Sequence, residues 1–178
     1  LAKGLSFGGT ASADTLAGTV GNDSFDTGAG NDIIKAGVGN DTIKAGTGSD
    51  TIDGGNGLDI AVYSGDRSSY TITQISGNLS VSGGTDGNDT LSNVERLKFG
   101  DLTLAFDTSG NAGQTYRLYQ AAFNRTPDKA GLSGWIKGVD AGMPLLKVAQ
   151  AFLASPEFQS LYGTSTTDAQ FVDLLYTN

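Results

Sequence analysis

Aspartate recurs every nine residues along the N-terminal part of the chain. The six positions in register are Asp14, Asp23, Asp32, Asp41, Asp50 and Asp59. Each nonapeptide carries this Asp at its sixth position and an apolar residue at its eighth; the apolar residues are Leu16, Phe25, Ile34, Ile43, Ile52 and Ala61. Position four is Gly in every row except the first, where Ser12 stands, and position two is Thr or Gly. A fixed period of this kind predicts a stacked repeat architecture.

The nonapeptide suits a glycine-rich turn followed by a short strand. Gly supplies the unusual backbone angles of the turn, and the middle residue of a three-residue strand points to the interior. Two nonapeptides then make one coil of 18 residues, so the aspartates form two columns. The first contains Asp14, Asp32 and Asp50, and the second contains Asp23, Asp41 and Asp59.

The aspartate columns bring like charges close together. Adjacent coils lie about 4.8 Å apart, and two carboxylates at that separation repel by roughly 3 kcal/mol at an effective dielectric constant of about 20. Such a roll requires cations between successive turns. Calcium accepts an all-oxygen shell of carboxylates and backbone carbonyls, whereas magnesium requires tighter octahedral geometry and retains its waters. The spacing therefore predicts calcium sites in the turns.

Composition excludes several other functions. The chain has 178 residues, no His, no Cys and a net charge of -8. It therefore has no Ser-His-Asp or Cys-His pair, no zinc site of the usual kind and no disulfide. The acidic balance argues against a nucleic-acid partner, and no apolar run approaches the ~18 residues of a membrane-spanning helix. No catalytic constellation is found, so we expect this chain not to be an enzyme.

The chain changes character near residue 112. Residues 1–62 carry 3 basic and 8 acidic groups, residues 63–112 carry 3 and 6, and residues 113–178 carry 5 and 5. The last segment has aromatic and aliphatic residues at helical spacing. We predict a β-roll at 1–62, a β-strand cap with one further nonapeptide at 63–112, and a small helical domain, truncated at its end, at 113–178. Because the chain begins with Leu1 and no signal peptide follows, we expect a piece of a longer protein.

Residues 9–62 resemble the RTX, or haemolysin-type, calcium-binding repeat, whose pattern is G-G-x-G-x-D-x-apolar-x. The resemblance implies a mainly β fold, a parallel β-roll with calcium in both stacks of turns, followed by the small all-α domain. In that family, an ion is shared by positions one, three and six of one row and positions two, four and six of the row two later. The aspartate pairs are Asp14–Asp32, Asp32–Asp50, Asp23–Asp41 and Asp41–Asp59, which implies about four or more ions. The implied carbonyl ligands are Gly9, Ala11, Gly18, Val20, Thr27, Gly28, Ala29, Gly30, Ala36, Gly37, Val38, Gly39, Gly46, Gly48, Gly55 and Gly57.

The segment after the repeats alternates in the manner of strands that cap the roll. Tyr70 and Ile72 lie on one predicted strand and Leu79 and Val81 on the next, with a turn at 76–78 between them. An exposed parallel edge invites pairing with other chains, so we expect these strands to close the end of the roll.

A detached nonapeptide at 83–91 (GGTDGNDTL) places Asp89 in the acidic column and Leu91 in the apolar one. Residues 92–107 resemble the closing segment of RTX rolls in secreted bacterial proteins. The resemblance implies that Asp89, with or without Glu95, holds another calcium ion. The alternative for Glu95 is an ordinary surface ion pair with one of three cations: Arg67, Arg96 or Lys98.

Helical spacing and helix-start signals predict five helices in the last part of the chain. They are 114–123, a helix through Leu132 and Val139 that ends at Gly142, 143–154, a helix that begins at Ser155–Glu157, and one that begins near Thr167. The region YRLYQAAFNRTPDKAGLSGWIKGVDAG with VAQAFLASPEFQSLYG resembles an uncharacterised helical domain of RTX-bearing bacterial secreted and surface proteins. Trp135 and the tyrosines form either a platform for a sugar or peptide, or part of the core.

The repeat and its resemblance lead to one hypothesis of function. The chain is a calcium-triggered folding and display module of a larger bacterial protein that is exported by type I secretion machinery to the extracellular side or the cell surface. In low calcium the roll stays unfolded, and outside the cell calcium binding drives folding. Two alternatives stay open. One is an adhesin or surface-layer module whose helical domain recognises a surface partner or glycan, and the other is the non-catalytic tail of a secreted hydrolase or epimerase.

Overall fold

The computed structural model describes residues 3–163. The chain divides into two compact units, Leu1–Phe106 and Asp107–Asn178. The first is a parallel β-solenoid of about three turns, and the described part of the second contains four helices. The predicted fold class is confirmed, while the predicted division at residues 62 and 112 stays a prediction.

Seven three-residue strands build the roll. They are β1 (Ser6–Gly8), β2 (Thr15–Ala17), β3 (Ser24–Asp26), β4 (Ile33–Lys35), β5 (Thr42–Lys44), β6 (Thr51–Asp53) and β7 (Ile60–Val62). The odd strands pair in parallel in one sheet and the even strands in the other. The register advances by one coil at each step, so that Phe25 lies opposite Ile43 and Ile34 opposite Ile52. This is the 18-residue coil that two nonapeptides predict.

The apolar residues of position eight fill the interior of the roll. Phe25, Ile34, Ile43 and Ile52 are almost fully buried, while their neighbours along each strand are mostly exposed. The alternation follows from the pleat, because only the middle side chain of each strand points inward. Burial of apolar surface, at roughly 25 cal/mol per Å2, is the main term that favours the folded coil.

The cap continues both sheets of the roll. A short 3-10 helix (Arg67–Ser69) leads to β8 (Tyr70–Ile75), β9 (Asn78–Gly83), β10 (Gly87–Ser92), β11 (Arg96–Lys98) and β12 (Thr103–Ala105). Strand β10 is parallel to β6 and antiparallel to β9, and β9 is antiparallel to β8. Strand β11 is parallel to β7 and antiparallel to β12. Ser76 and Gly77, both at positive φ, form the tight turn between β8 and β9, as hairpin geometry requires.

The described helices of the second unit are α1 (Asn111–Phe123), α2 (Lys129–Asp140), α3 (Leu145–Leu153) and α4 (Pro156–Tyr162). Ser155 caps α4, because its side chain accepts a hydrogen bond from the backbone N–H of Phe158 at 3.2 Å. This is the helix start predicted from Ser155, Pro156 and Glu157. The helix predicted near Thr167 lies outside the described residues.

The helices pack around an aromatic core. Its buried members are Tyr119, Ala122, Phe123, Val148, Phe152 and Phe158. Trp135 is partly buried against this core, with its ring edge-on to Phe152 at a centroid distance of 5.3 Å. This packing favours the core interpretation of Trp135 over a binding platform.

Candidate metal centre

The column aspartates are linked from coil to coil through the backbone. The Oδ1 of Asp32 accepts the N–H of Asp14 at 2.9 Å, and the Oδ1 of Asp50 accepts the N–H of Asp32 at 2.8 Å. The second column has the same links, in which the Oδ1 atoms of Asp41 and Asp59 accept the N–H groups of Asp23 and Asp41 at 2.7 and 2.8 Å. The turns therefore stack the six aspartates in the two columns that the period predicts.

Both columns continue into the cap. The Oδ1 of Asp89 accepts the N–H of Asp50 at 3.1 Å, so Asp89 extends the first column. The Oε2 of Glu95 accepts the N–H of Asp59 at 2.9 Å and occupies the same place in the second column. Glu95 thus lies where the next aspartate of the repeat would lie.

One oxygen of each central aspartate lacks a partner. The Oδ2 atoms of Asp32, Asp41, Asp50 and Asp59 are buried without a hydrogen bond, and none of these residues is more than 2% exposed. A buried charged group is stable only when it is paired or coordinates a metal. These oxygens without partners are aligned in two columns, and each column fits one row of cations.

The remaining ligands of such cations must come from the backbone. Within residues 3–163, no three or more acidic side chains come together as a metal-binding group. Each turn instead offers a few carboxylate oxygens among many peptide carbonyls. A hard cation that accepts carbonyl oxygens in a flexible shell, such as calcium, suits this donor set.

Glycines at positions two and four let adjacent turns approach closely. The eight predicted positions all have positive φ: Gly28, Gly30, Gly37, Gly39, Gly46, Gly48, Gly55 and Gly57. A Cβ atom on Gly57 would lie 1.7 Å from the carbonyl oxygen of Gly39, and one on Gly48 would lie 1.8 Å from that of Gly30. The carbonyls at these positions therefore point from one coil toward the next, where only glycine leaves room.

Several predicted carbonyl ligands also accept backbone hydrogen bonds. The carbonyls of Gly28 and Gly37 accept the N–H groups of Thr47 and Asn56 at 3.0 and 2.9 Å. Each keeps a second lone pair for a cation. The other implied ligands of positions one and three lie in the same stacked turns: Gly9, Ala11, Gly18, Val20, Thr27, Ala29, Ala36 and Val38. Coordination by individual carbonyls stays a prediction.

Burial raises the pKa of several column carboxyls. Desolvation raises the pKa of Asp59 to about 7, and the charges of Asp41 and Glu95 add to the effect. Desolvation likewise raises the pKa of Asp89 to about 7, with a further contribution from the charge of Asp50. The carboxyls of Asp59 and Asp89 therefore resist ionisation in the absence of a cation.

We expect the calcium-free roll to be more stable at pH 5 than at pH 8. The pKa of Asp59 and of Asp89 is about 7 in the folded state against 3.8 for the free group. The folded state thus binds more protons than the unfolded state between these values, and the free energy of unfolding falls as the pH rises through that window. Circular dichroism of the chelator-treated chain measures the difference, as a gain of β signal when the pH falls from 8 to 5. An equal β signal at the two pH values would contradict it.

Sequence reasoning missed a ladder of asparagines at position five. The Oδ1 of Asn22 accepts the N–H of Asn40 at 2.9 Å, and the Oδ1 of Asn40 accepts that of Leu58 at 3.0 Å. Asn31 makes the same bond to Ser49 at 2.9 Å. The signal in the sequence was the recurrence of Asn at positions one coil apart, such as Asn22 and Asn40. The hydrogen bonds of the ladder join successive coils on the outside of each turn.

A buried polar cluster beneath the cap was also missed. The hydroxyl of Tyr70 donates to Asp86, and the Oδ2 of Asp86 also accepts the N–H and the hydroxyl of Ser64 at 3.1 and 2.9 Å. The hydroxyl of Tyr63 is buried without a hydrogen bond. Tyr63, Ser64 and Tyr70 come from the non-repeating part of the chain. Asp86 lies in the detached nonapeptide, but not at a position where the repeat carries an aspartate, so no spacing marked it.

Stacked carboxylates, glycine turns and an apolar interior define a calcium-binding parallel β-roll. Residues 8–43 and 26–61 match a family model described as the RTX calcium-binding nonapeptide repeat (4 copies). The roll therefore consists of RTX calcium-binding repeats, and the predicted resemblance is confirmed. Residues 149–178 match a domain of unknown function, DUF4214. Neither matched family is catalytic.

Other comparisons are less informative. No curated protein matches the chain. Among solved structures, the extracellular lipase LipA from Serratia marcescens is similar to it at 20% identity and a TM-score of 0.26. The match covers 50% of this chain and 13% of the lipase chain. Among the described helices, none has the length and apolar character needed to cross a bilayer.

Proposed function

We propose that the roll and its cap are a calcium-triggered folding unit of an extracellular protein exported by type I secretion. The observation that carries this proposal is the set of four buried Oδ2 atoms without partners in Asp32, Asp41, Asp50 and Asp59. A chain that folds without cations would gain nothing from burying these oxygens. RTX repeats bind calcium, so calcium is the cation we assign to the columns.

The residues of the chain itself oppose folding when calcium is absent. Closing the coils buries six column carboxylates, those of Asp23, Asp32, Asp41, Asp50, Asp59 and Asp89. Their mutual repulsion adds to the cost of their desolvation. The chain also contains 27 glycines, and glycine loses more backbone entropy on ordering than any other residue. Bound calcium supplies the positive charge that offsets both costs, and its binding free energy becomes folding free energy.

This coupling gives export a direction. In a compartment poor in calcium, the repulsion between aspartates keeps the repeats unfolded and able to pass through a channel. Outside the cell, affinities of about 0.1 to 1 mM are sufficient for an extracellular calcium module. Folding outside the cell then opposes the return of the chain through the channel. In this proposal the secretion machinery of the parent protein is the partner, and the unit has no enzymatic activity of its own.

A calcium titration of the chelator-treated chain tests the proposal. We expect calcium to produce a cooperative gain of β signal in the far-ultraviolet circular dichroism spectrum, because the roll closes only when the columns are neutralised. Magnesium at the same concentrations serves as the control, and we expect little gain with it. A full β spectrum in chelator, unchanged by calcium, would overturn the proposal.

A further inference from the structure

The six rows of the repeat differ at position two. Rows one and two carry Thr10 and Thr19, and the other four rows carry glycine. The N–H and the hydroxyl of Thr10 donate to the Oδ2 of Asp14 at 2.6 and 2.9 Å. Thr19 makes the same two bonds to the Oδ2 of Asp23, also at 2.6 and 2.9 Å. Each threonine thus holds the carboxylate of its own row with two donors.

The glycine rows lack this arrangement. Position two is Gly28, Gly37, Gly46 or Gly55, and each of these has positive φ. In the same four rows the Oδ2 atom is buried without a partner: Asp32, Asp41, Asp50 and Asp59. All six rows therefore follow one rule. Where threonine stands at position two, the oxygen is satisfied, and where glycine stands there, the oxygen is orphaned.

The orientation of each threonine hydroxyl is fixed by a second bond. The N–H of Ser12 donates to the Oγ1 of Thr10 at 3.1 Å, and that of Gly21 donates to the Oγ1 of Thr19 at 3.2 Å. A hydroxyl has a single proton. For Thr19 its acceptors are the two oxygens of Asp23. For Thr10 the Oδ2 of Asp14 at 2.9 Å is nearer than the alternative acceptor, the carbonyl oxygen of Ser12 at 3.4 Å. The positive ends of two dipoles then point at the Oδ2 atom, where a cation would otherwise bind.

We propose that the hydroxyls of Thr10 and Thr19 end the calcium array at the first coil. They take the place of the ion, so that Asp14 and Asp23 do not serve as calcium ligands and the array begins with Asp32 and Asp41. This inference rests on the proposed function, and it differs from the four-site expectation at the pairs Asp14–Asp32 and Asp23–Asp41. The first coil then closes without calcium and forms an ordered end on which the calcium-dependent coils stack.

The number of bound ions tests the inference. Equilibrium dialysis against calcium, with elemental analysis, compares the wild type with a Thr10→Gly/Thr19→Gly variant, which restores the repeat residue and removes both hydroxyls. We expect the glycine variant to bind one more ion in each column. The matched control is Thr10→Ser/Thr19→Ser, which keeps the hydroxyls and is expected to bind as many ions as the wild type. Equal counts in the wild type and the glycine variant would overturn the inference.

A measurement on the wild type covers the case in which the glycine variant does not fold. The carboxyl 13C signals of the aspartates report calcium binding directly. We expect calcium to shift the signals of Asp32 and Asp41 and to leave those of Asp14 and Asp23 nearly unchanged. Equal shifts at all four would contradict the role of the threonines. A wild type that binds no calcium would instead sink the proposed function.

Discussion

Asp41→Ala is expected to abolish most of the calcium-driven folding of the roll. Asp41 is fully buried in the middle of the second column; its Oδ1 accepts the N–H of Asp23 at 2.7 Å and its Oδ2 has no partner. The substitution removes a proposed calcium ligand and leaves the backbone N–H of Asp23 unpaired. Loss of one partner of a buried charged pair costs about 3–5 kcal/mol. We expect the calcium midpoint, measured by circular dichroism, to rise at least about tenfold.

Asp26→Ala is the matched control. Asp26 is an exposed residue of strand β3 that pairs with Lys44 at 3.0 Å across the outer face of the sheet. Surface ion pairs contribute about 0–1 kcal/mol, so the calcium midpoint should barely move. Similar midpoints for the two variants would contradict the assignment of Asp41 to the metal centre.

Gly57→Ala is expected to prevent the last turns of the roll from stacking. The new Cβ would lie 1.7 Å from the carbonyl oxygen of Gly39, and Gly57 has a φ of +148°. The carbonyl of Gly39 cannot move aside, because it is part of the backbone and the N–H of Gly39 donates a hydrogen bond to the carbonyl oxygen of Asn56 at 2.9 Å. We expect a loss above about 4 kcal/mol in the free energy of unfolding, which is at the upper end for single substitutions. Urea denaturation in saturating calcium measures it.

The control for Gly57→Ala is Gly8→Ala. A Cβ at Gly8, the last residue of β1, would meet nothing within 4 Å. The expected change is within about 0.5 kcal/mol, as at ordinary surface positions. If the two substitutions cost the same, close approach of the coils is not what requires glycine at position four.

The periodic part of the molecule could be predicted because one spacing fixes several features at once. Nine residues per half coil determine the strand register, the inward residues such as Ile43, and the column to which each aspartate belongs. Asp89 could be placed because its segment repeats the nonapeptide. Glu95 could not, because it stands outside the period and reaches the column only through the fold of the cap.

The remaining features depend on contacts that no spacing in the sequence relates. The bond from Tyr70 to Asp86 joins strand β8 to the turn between β9 and β10. Thr19 was visible as a departure from glycine at position two. Its role appears only when the partner of each Oδ2 atom is known, because a threonine hydroxyl also satisfies turns that have no link to a metal.

The connection between the roll and its cap allows the length of the repeat to vary. Strand β10 joins the even sheet beside β6, the strand before last of the roll, and β11 joins the odd sheet beside β7, the last strand. An inserted nonapeptide advances the roll by half a coil and carries the cap with it, so that β10 still lies beside the strand before last and β11 beside the last strand. Each insertion therefore leaves both junctions unchanged, and the roll can lengthen by single nonapeptides.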